Sequence, residues 1–497
     1  MKKLFSLLLA ATMTFSLTLP ALADHYTYSE PEKSTMMPRS TPETHGMSSQ
    51  YILDLLDAFD YADAEVHNIL MAIDGEVVFE GHYAPYTALD PHIMFSGTKI
   101  FTNAAVGVAV TEGYLHLDDY VYDVLKDYVT QDVSELQSKV QLKHLLTMTS
   151  GVDRFMSGSE LRPLTTSWIE HILTEPIVHE PGTYYLYSSG NTMLSSAMVT
   201  VATGKTCLEL LNTTGFCEEL GIKITAEDLA KVGQLYMNGG VWNGKQILSK
   251  EWCDLAIGYE KTVENQGTYA YHWTAYEDGL YYTATGSYGQ TLAICPKLNM
   301  VIAIQAGTKQ NIGELLYQNI FKPYGDALDA GTVPEPDDAL SAALAKRAEN
   351  LNLMFTTDFT ASPIGELVDD VTFTAAENQY GITTLSLDVH DDYIDYTMTD
   401  ARGTHTIRNG IWQWLKGETS MTSNYTHHQY QYPTEPVYAY AEWKDANTLQ
   451  LTWRFPELAF VDTLTLTFSD DGSQIGMVRS VNVNSGPLVC DEVVFTK

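Results

Sequence analysis

The chain is short of positive charge, short of cysteine, and has only one long apolar run. Lys and Arg number 28 against 63 Asp and Glu, a formal net charge of −35. A surface that acidic repels phosphate backbones and anionic bilayers, so neither nucleic acid nor a membrane surface is expected as a partner. The five cysteines are Cys207, Cys217, Cys253, Cys295 and Cys490. An odd number without a C-x-x-C pair indicates neither a zinc site nor a full disulfide framework. Cys207 and Cys217 are near enough in sequence to pair, and reduced, buried thiols fit at least as well. Low complexity and internal repeats are absent too. With 45% hydrophobic residues over 497 positions, the chain has material for two or three cores.

The apolar run lies at the start. Lys2 and Lys3 precede Leu4–Leu22, and Ala21-Leu22-Ala23 has the small-x-small pattern of a cleavage site. Thr12, Thr14, Ser16, Thr18 and Pro20 interrupt the run, which argues against a membrane anchor. Residues 1–23 therefore read as a signal peptide, with a mature protein from Asp24 that is secreted or periplasmic. No later stretch reaches the roughly 20 apolar residues a bilayer span needs.

Beyond it, Ser48 opens a helical pattern, and Asp74-Gly75 joins two strands, His67–Ile73 and Val77–Gly81, as a hairpin. Residues 98–250 read mainly as helices. Strand patterns return at Tyr269–Tyr276, Tyr281–Thr285, Leu292–Cys295 and Val301–Gln305. A hairpin at one end and a meander at the other predict an α+β domain over 24–325, its antiparallel sheet flanked by helices with an inserted helical lobe. The Pro- and Gly-bearing stretch Lys322–Asp338 reads as linker, with a short helix around Ala339–Leu353, so that 326–350 joins two domains. Over 351–497, short alternating strands predict an all-β barrel or sandwich.

Candidate chemistry centres on Ser96-Gly97-Thr98-Lys99, placed just before an Ala- and Val-rich helical segment. Three residues of helix put the Lys99 amine within reach of the Ser96 hydroxyl. A serine hydroxyl becomes a useful nucleophile only when a base takes its proton, and a helix N-terminus presents N–H groups to a developing oxyanion. Tyr187, followed by Ser188-Ser189-Gly190, is the candidate second proton carrier. Thr225 with Asp228 three residues on reads as a helix N-cap. His427-His428 lack companion ligands at metal spacing, and Trp412, Trp414, Trp443 and Trp453 read as core and rim packing.

Taken together, these segments resemble the penicillin-recognising serine hydrolases, the family of class C β-lactamases, DD-peptidases and related esterases and amidases. The resemblance covers about residues 40–320 and also rests on His144–Gly151, Thr225–Ala230 and Ala284-Thr285-Gly286 followed by Ser287-Tyr288-Gly289-Gln290. It implies that Ser96 is the acylated nucleophile, Lys99 its partner and Tyr187 the second proton carrier, with Ser189, Gly286 and Ser287 in substrate or oxyanion contacts. It implies no metal or organic cofactor, and a small-molecule or peptide substrate. Ser189 stands where the family often has Asn, and Ala284 where it usually has Lys or His. Ser189 and Gly289-Gln290 look like the branch containing 6-aminohexanoate-oligomer hydrolases and esterases. Loss of the cation at Ala284 disfavours efficient penicillin destruction. Only a short segment separates Gly204 from Thr225, which predicts an open cleft. The C-terminal strands resemble the lipocalin-like tails of some relatives. A second reading, from another functional class, is a catalytically idle binding or sensor protein that keeps the fold.

Overall fold

The computed structural model describes residues 36–161, 163–213, 224–258, 263, 265, 267–353, 361–421 and 434–497. The expected signal peptide, Cys217, His427-His428 and half of the segment between Gly204 and Thr225 lie outside the described residues.

The first domain is built on one antiparallel sheet of seven strands made from both ends of the domain. From edge to edge it runs Glu76–His82, Val66–Ile73, Met300–Ala306, Gln290–Cys295, Tyr281–Gly286, Trp273–Tyr276 and Tyr269–Ala270. The central strands Val66–Ile73 and Met300–Ala306 are buried along their whole length. Residues on a strand face alternate sides, and the two sides here enter different cores. Leu70 and Ala72 join the core under the helical lobe, whereas Ile69, Met71 and Ile73 join the core under the helix Ser49–Tyr61. Burying each such side chain contributes about 2 kcal/mol. This hydrophobic run on both faces, rather than clean alternation, marks a sheet covered by helices on each side.

One expectation needs correction. The stretch from Lys322, read as linker, opens with a helix, Lys322–Ala330, that follows a wider π turn at Tyr317–Phe321. Pro323 sits in its first turn, where a missing N–H is tolerated, and Gly331 ends it at φ 63°. Tyr324 is buried in the first domain's core, and its hydroxyl donates to the His45 carbonyl at 2.7 Å. The helix Asp338–Glu349 buries Leu344 in the same core, and its Arg347 pairs with Asp60. Pro and Gly here mark helix ends inside the domain.

The C-terminal strands form a closed barrel. In ring order they are Gly403–Ile411, Tyr393–Asp400, Thr384–Val389, Val371–Ala375, Val493–Thr496, Gln474–Val481, Val461–Phe468, Thr448–Arg454 and Glu435–Asp445. A short parallel pairing of Gly410 with Tyr440 and Ile411 with Ala441 closes the ring, which decides between barrel and sandwich. Leu415–Thr419 adds a tenth strand beside Glu435–Asp445. Trp443 and Trp453 lie in the barrel core, where the Trp453 indole donates to Asn409 at 2.7 Å.

The barrel packs directly on the first domain. Arg454 donates to Glu65 at 2.7 Å, and Glu65 also holds His67 at 3.0 Å. His67 in turn reaches His92 at 3.1 Å. Burial alone would raise the Glu65 carboxyl, but Arg454 and His67 hold it at about 2. The Ile93 N–H donates to the Glu457 carbonyl at 2.9 Å, so a barrel loop hydrogen-bonds the backbone three residues before Ser96.

Candidate active site

Ser96 sits in a single 3₁₀ turn, Phe95–Thr98, which leads straight into the α-helix Lys99–Thr111. The Lys99 ammonium donates to the Ser96 Oγ at 3.0 Å. It also lies 5.2 Å from the centre of the Tyr187 ring, within cation–π range. Among the described residues no carboxylate pairs with Lys99, so its charge faces a hydroxyl and an aromatic ring.

One turn further on, buried Asn103 fixes this helix. Its amide donates to the Tyr271 carbonyl at 2.9 Å, and its oxygen accepts from Trp252 at 3.1 Å and from the Tyr236 hydroxyl. Tyr271 and His272 both have positive φ, 51° and 66°. Such backbone costs free energy for residues other than glycine and persists where the surroundings hold it. The Asn103 bond and a bond from the Tyr271 N–H to the Leu146 carbonyl at 2.8 Å do so here. The kink also splits the expected strand Tyr269–Tyr276 into two short ones.

Tyr187 precedes the helix Ser189–Thr203. The segment is tied to residues 148–156: Leu186 N–H donates to the Met148 carbonyl at 2.9 Å, and Ser189 N–H to the Met156 carbonyl at 3.0 Å. Its ring stacks on Phe155 at 6.1 Å and meets Tyr269 edge-on at 5.4 Å.

These elements enclose a cavity of about 320 Å³ lined by Ser96, Tyr187, Tyr269, His272, Thr274, Thr285, Gly286 and Ser287. The structure thus brings Ser96, Tyr187, Gly286 and Ser287 to one cavity, with Lys99 bonded to Ser96 beneath it. Ser189 is not part of the lining, and Ala284 is buried in the sheet opposite Leu292. Gly286 is required sterically, because a Cβ there would collide with the Met94 carbonyl oxygen. Strand end and serine turn are therefore in contact. Thr225 caps the helix Ala226–Met237 by accepting from the Asp228 N–H at 3.1 Å.

His272, Tyr269, Thr274 and Thr285 were not singled out by motif. Their place in the cavity depends on the kink at Tyr271-His272, which long-range bonds impose and no local pattern announces. His272 donates to or accepts from Thr192 at 3.2 Å, while its buried Nδ1 has no partner among the described residues. Burial first, and the Lys99 charge second, depress its pKa to about 3, so the imidazole is neutral. Burial pushes the Tyr269 hydroxyl well up, and it stays protonated. Among the described residues no group of three His, Cys, Asp or Glu side chains is arranged for a metal ion, and no helix is long and apolar enough to cross a membrane.

A sheet closed by both ends of the first domain, with a serine and lysine at the start of a buried helix against it, is the architecture of a β-lactamase-type fold. Residues 67–216 match the family model described as Beta-lactamase. A 6-aminohexanoate-dimer hydrolase from Paenarthrobacter ureafaciens is 24% identical over 274 residues, which cover 46% of this chain and 69% of the relative. Among solved structures, the octameric penicillin-binding protein homologue from Pyrococcus abyssi aligns at 16% identity and a TM-score of 0.43, covering 90% of this chain and 99% of that one. A penicillin-binding protein from Bacillus halodurans aligns at 18% identity and a TM-score of 0.43, covering 53% and 97%.

Proposed function

We propose that this chain is an exported serine hydrolase that cleaves amide or ester bonds through an acyl-Ser96 intermediate. The observation that carries the reading is the 3.0 Å bond from Lys99 to cavity-lining Ser96, with no carboxylate paired to that ammonium among the described residues. Ser96 Oγ attacks the carbonyl carbon and passes its proton to the Lys99–Tyr187 pair, which enters this step one proton short, as an ammonium beside a phenolate or an amine beside a phenol. The tetrahedral oxyanion accepts hydrogen bonds from the backbone N–H groups of Ser96 and Ser287. Tyr187 returns the proton to the leaving amine or alcohol as the C–N or C–O bond breaks. Water then attacks the acyl-enzyme by the reverse route and regenerates Ser96.

Neutral acyl groups fit the cavity best. Its lining contains no lysine or arginine, and its one histidine is held uncharged. Among the described residues no cation besides Lys99, which is engaged with Ser96, stands at the wall to grip a carboxylate of the kind penicillins carry. Tyr187, Tyr269 and Phe155 supply apolar ring surface instead. The relative named for hydrolysis of a 6-aminohexanoate dimer makes a linear amide the first substrate to test, beside p-nitrophenyl esters, D-peptides and cephalosporins.

The deciding measurement is intact mass after treatment with a fluorophosphonate. The full chain should gain one adduct, and Ser96→Ala should gain none while losing about 10⁴-fold or more of its ester turnover. No adduct on the wild-type chain, with no turnover of any ester or amide in the panel, would sink the Ser96 mechanism and leave the idle binding protein.

A further inference from the structure

Two residues flank the acyl-transfer groups with backbone that side-chain-bearing residues rarely adopt. Phe95, just before Ser96, has φ 44°, and Tyr288, just after Ser287, has φ 64°. Phe95 shares the peptide plane of the Ser96 N–H, and Tyr288 shares the 3₁₀ turn Ser287–Gly289 with the Ser287 N–H, the two N–H groups that the proposed oxyanion hole uses. Neither is held by the first domain alone. Their rings meet edge-on at 5.4 Å, and both meet Phe460 of the barrel, at 6.2 Å from Phe95 and 5.5 Å from Tyr288. Ile93, Phe95 and Tyr288 are all packed against the barrel core. Polar bonds fix the same contact: Tyr288 Oη lies 3.1 Å from Ser485 Oγ, and Asn482 donates to the Gly307 carbonyl at 3.0 Å. The Thr308 N–H beside it donates to the Tyr288 carbonyl at 3.1 Å.

We infer that the C-terminal barrel is a part of the catalytic apparatus, with Phe460 a positioning residue that holds the turns of Ser96 and Ser287 in register. This deepens the acyl-Ser96 reading and rests on it. Phe460, only 2% exposed, lies in the loop between the strands Thr448–Arg454 and Val461–Phe468. It closes a three-ring cluster whose other two members sit one residue from each N–H. Without that ring the strained pair at Phe95 and Tyr288 is free to relax, and the two N–H groups diverge while the cavity walls stay in place.

The test uses the full chain, p-nitrophenyl ester kinetics and the rate of fluorophosphonate labelling. Phe460→Ala should lower kcat and the labelling rate by about 10- to 100-fold, the scale of a sub-ångström to 1 Å misplacement, with KM little changed. Phe460→Leu, which refills most of the volume, should recover most of the loss, and it carries the test if Phe460→Ala does not fold. Phe495→Ala deletes another fully buried ring from the same barrel core, without a ring contact to Phe95 or Tyr288 among the described residues. At a temperature where it is folded, it should label at the wild-type rate. Wild-type labelling by Phe460→Ala, or an equal loss in Phe495→Ala, would overturn the inference and leave Ser96 chemistry standing. A wild-type chain that takes no label would overturn the Ser96 reading itself.

Discussion

Two lysines in this molecule follow a short polar side chain by three residues at the start of a helix, and both make a 3.0 Å bond to it. Lys99 bonds the Ser96 hydroxyl, and Lys231 bonds the Asp228 carboxylate. The local geometry is the same i,i+3 reach, yet the chemistry differs. Lys231 is 1% exposed and its charge is matched. Burial pushes Asp228 up while Lys231 pulls it back, the balance expected of a structural pair. Lys99 is only partly buried, and it faces an aromatic ring, a hydroxyl and a neutral imidazole. A paired cation has nothing left to give to a reaction. An unmatched one beside a serine has a proton to exchange.

Replacing each lysine should separate the two roles. Lys99→Met is expected to lower ester turnover by about 10³-fold or more, with an unfolding midpoint unchanged or slightly raised, because no buried carboxylate is orphaned. Lys231→Met should do the opposite. It leaves Asp228 buried and unpaired, at an expected cost of about 3–5 kcal/mol in urea unfolding, while the folded fraction keeps its kcat. Adding Asp228→Asn to Lys231→Met should recover most of that loss, since a neutral pair in the same space has little left to desolvate. Full turnover by Lys99→Met would remove the distinction between the two sites. A stable Lys231→Met would show that the Asp228 pair is not structural.

The same contrast shows what was legible beforehand. Ser96, Lys99, the Thr225 cap and the Asp74-Gly75 hairpin are local patterns whose geometry follows from a few consecutive residues. The central strands were readable because Val66–Ile73 and Met300–Ala306 are apolar on both faces. In the barrel, the strands Val371–Ala375, Leu415–Thr419 and Val493–Thr496 are only five, five and four residues long, too short for a pattern to stand out before closure of the ring pairs them. His272 was invisible for a different reason. Its position comes from bonds between residues 103, 146 and 271, which only the folded chain brings together. The helix at Lys322 was hidden by Pro323 and Gly331, which read as breaks and act as ends.

The smallest effect tests the comparison most directly, by asking whether Lys99 acts on its surroundings as an unmatched charge. His272 is the reporter, with its pKa depressed from 6.5 to about 3 by burial and then by Lys99. In Lys99→Met the charge is gone and the burial remains, so the pKa should rise yet stay below 6.5, as read from the His272 ring resonances. Lys231→Met should leave it in place, because Lys231 is no cause of the shift. Stability follows with a defined sign. A histidine whose folded pKa lies below its unfolded value contributes stability that is complete above about pH 6.5 and is lost as the pH falls toward the folded pKa. Wild-type protein should therefore lose stability steadily from pH 6.5 toward 3, whereas in Lys99→Met the His272 share of that loss should level off at a higher pH. Identical His272 titrations in the two proteins would mean that Lys99 is as well screened as Lys231, and the contrast between the lysines would then rest on Ser96 alone.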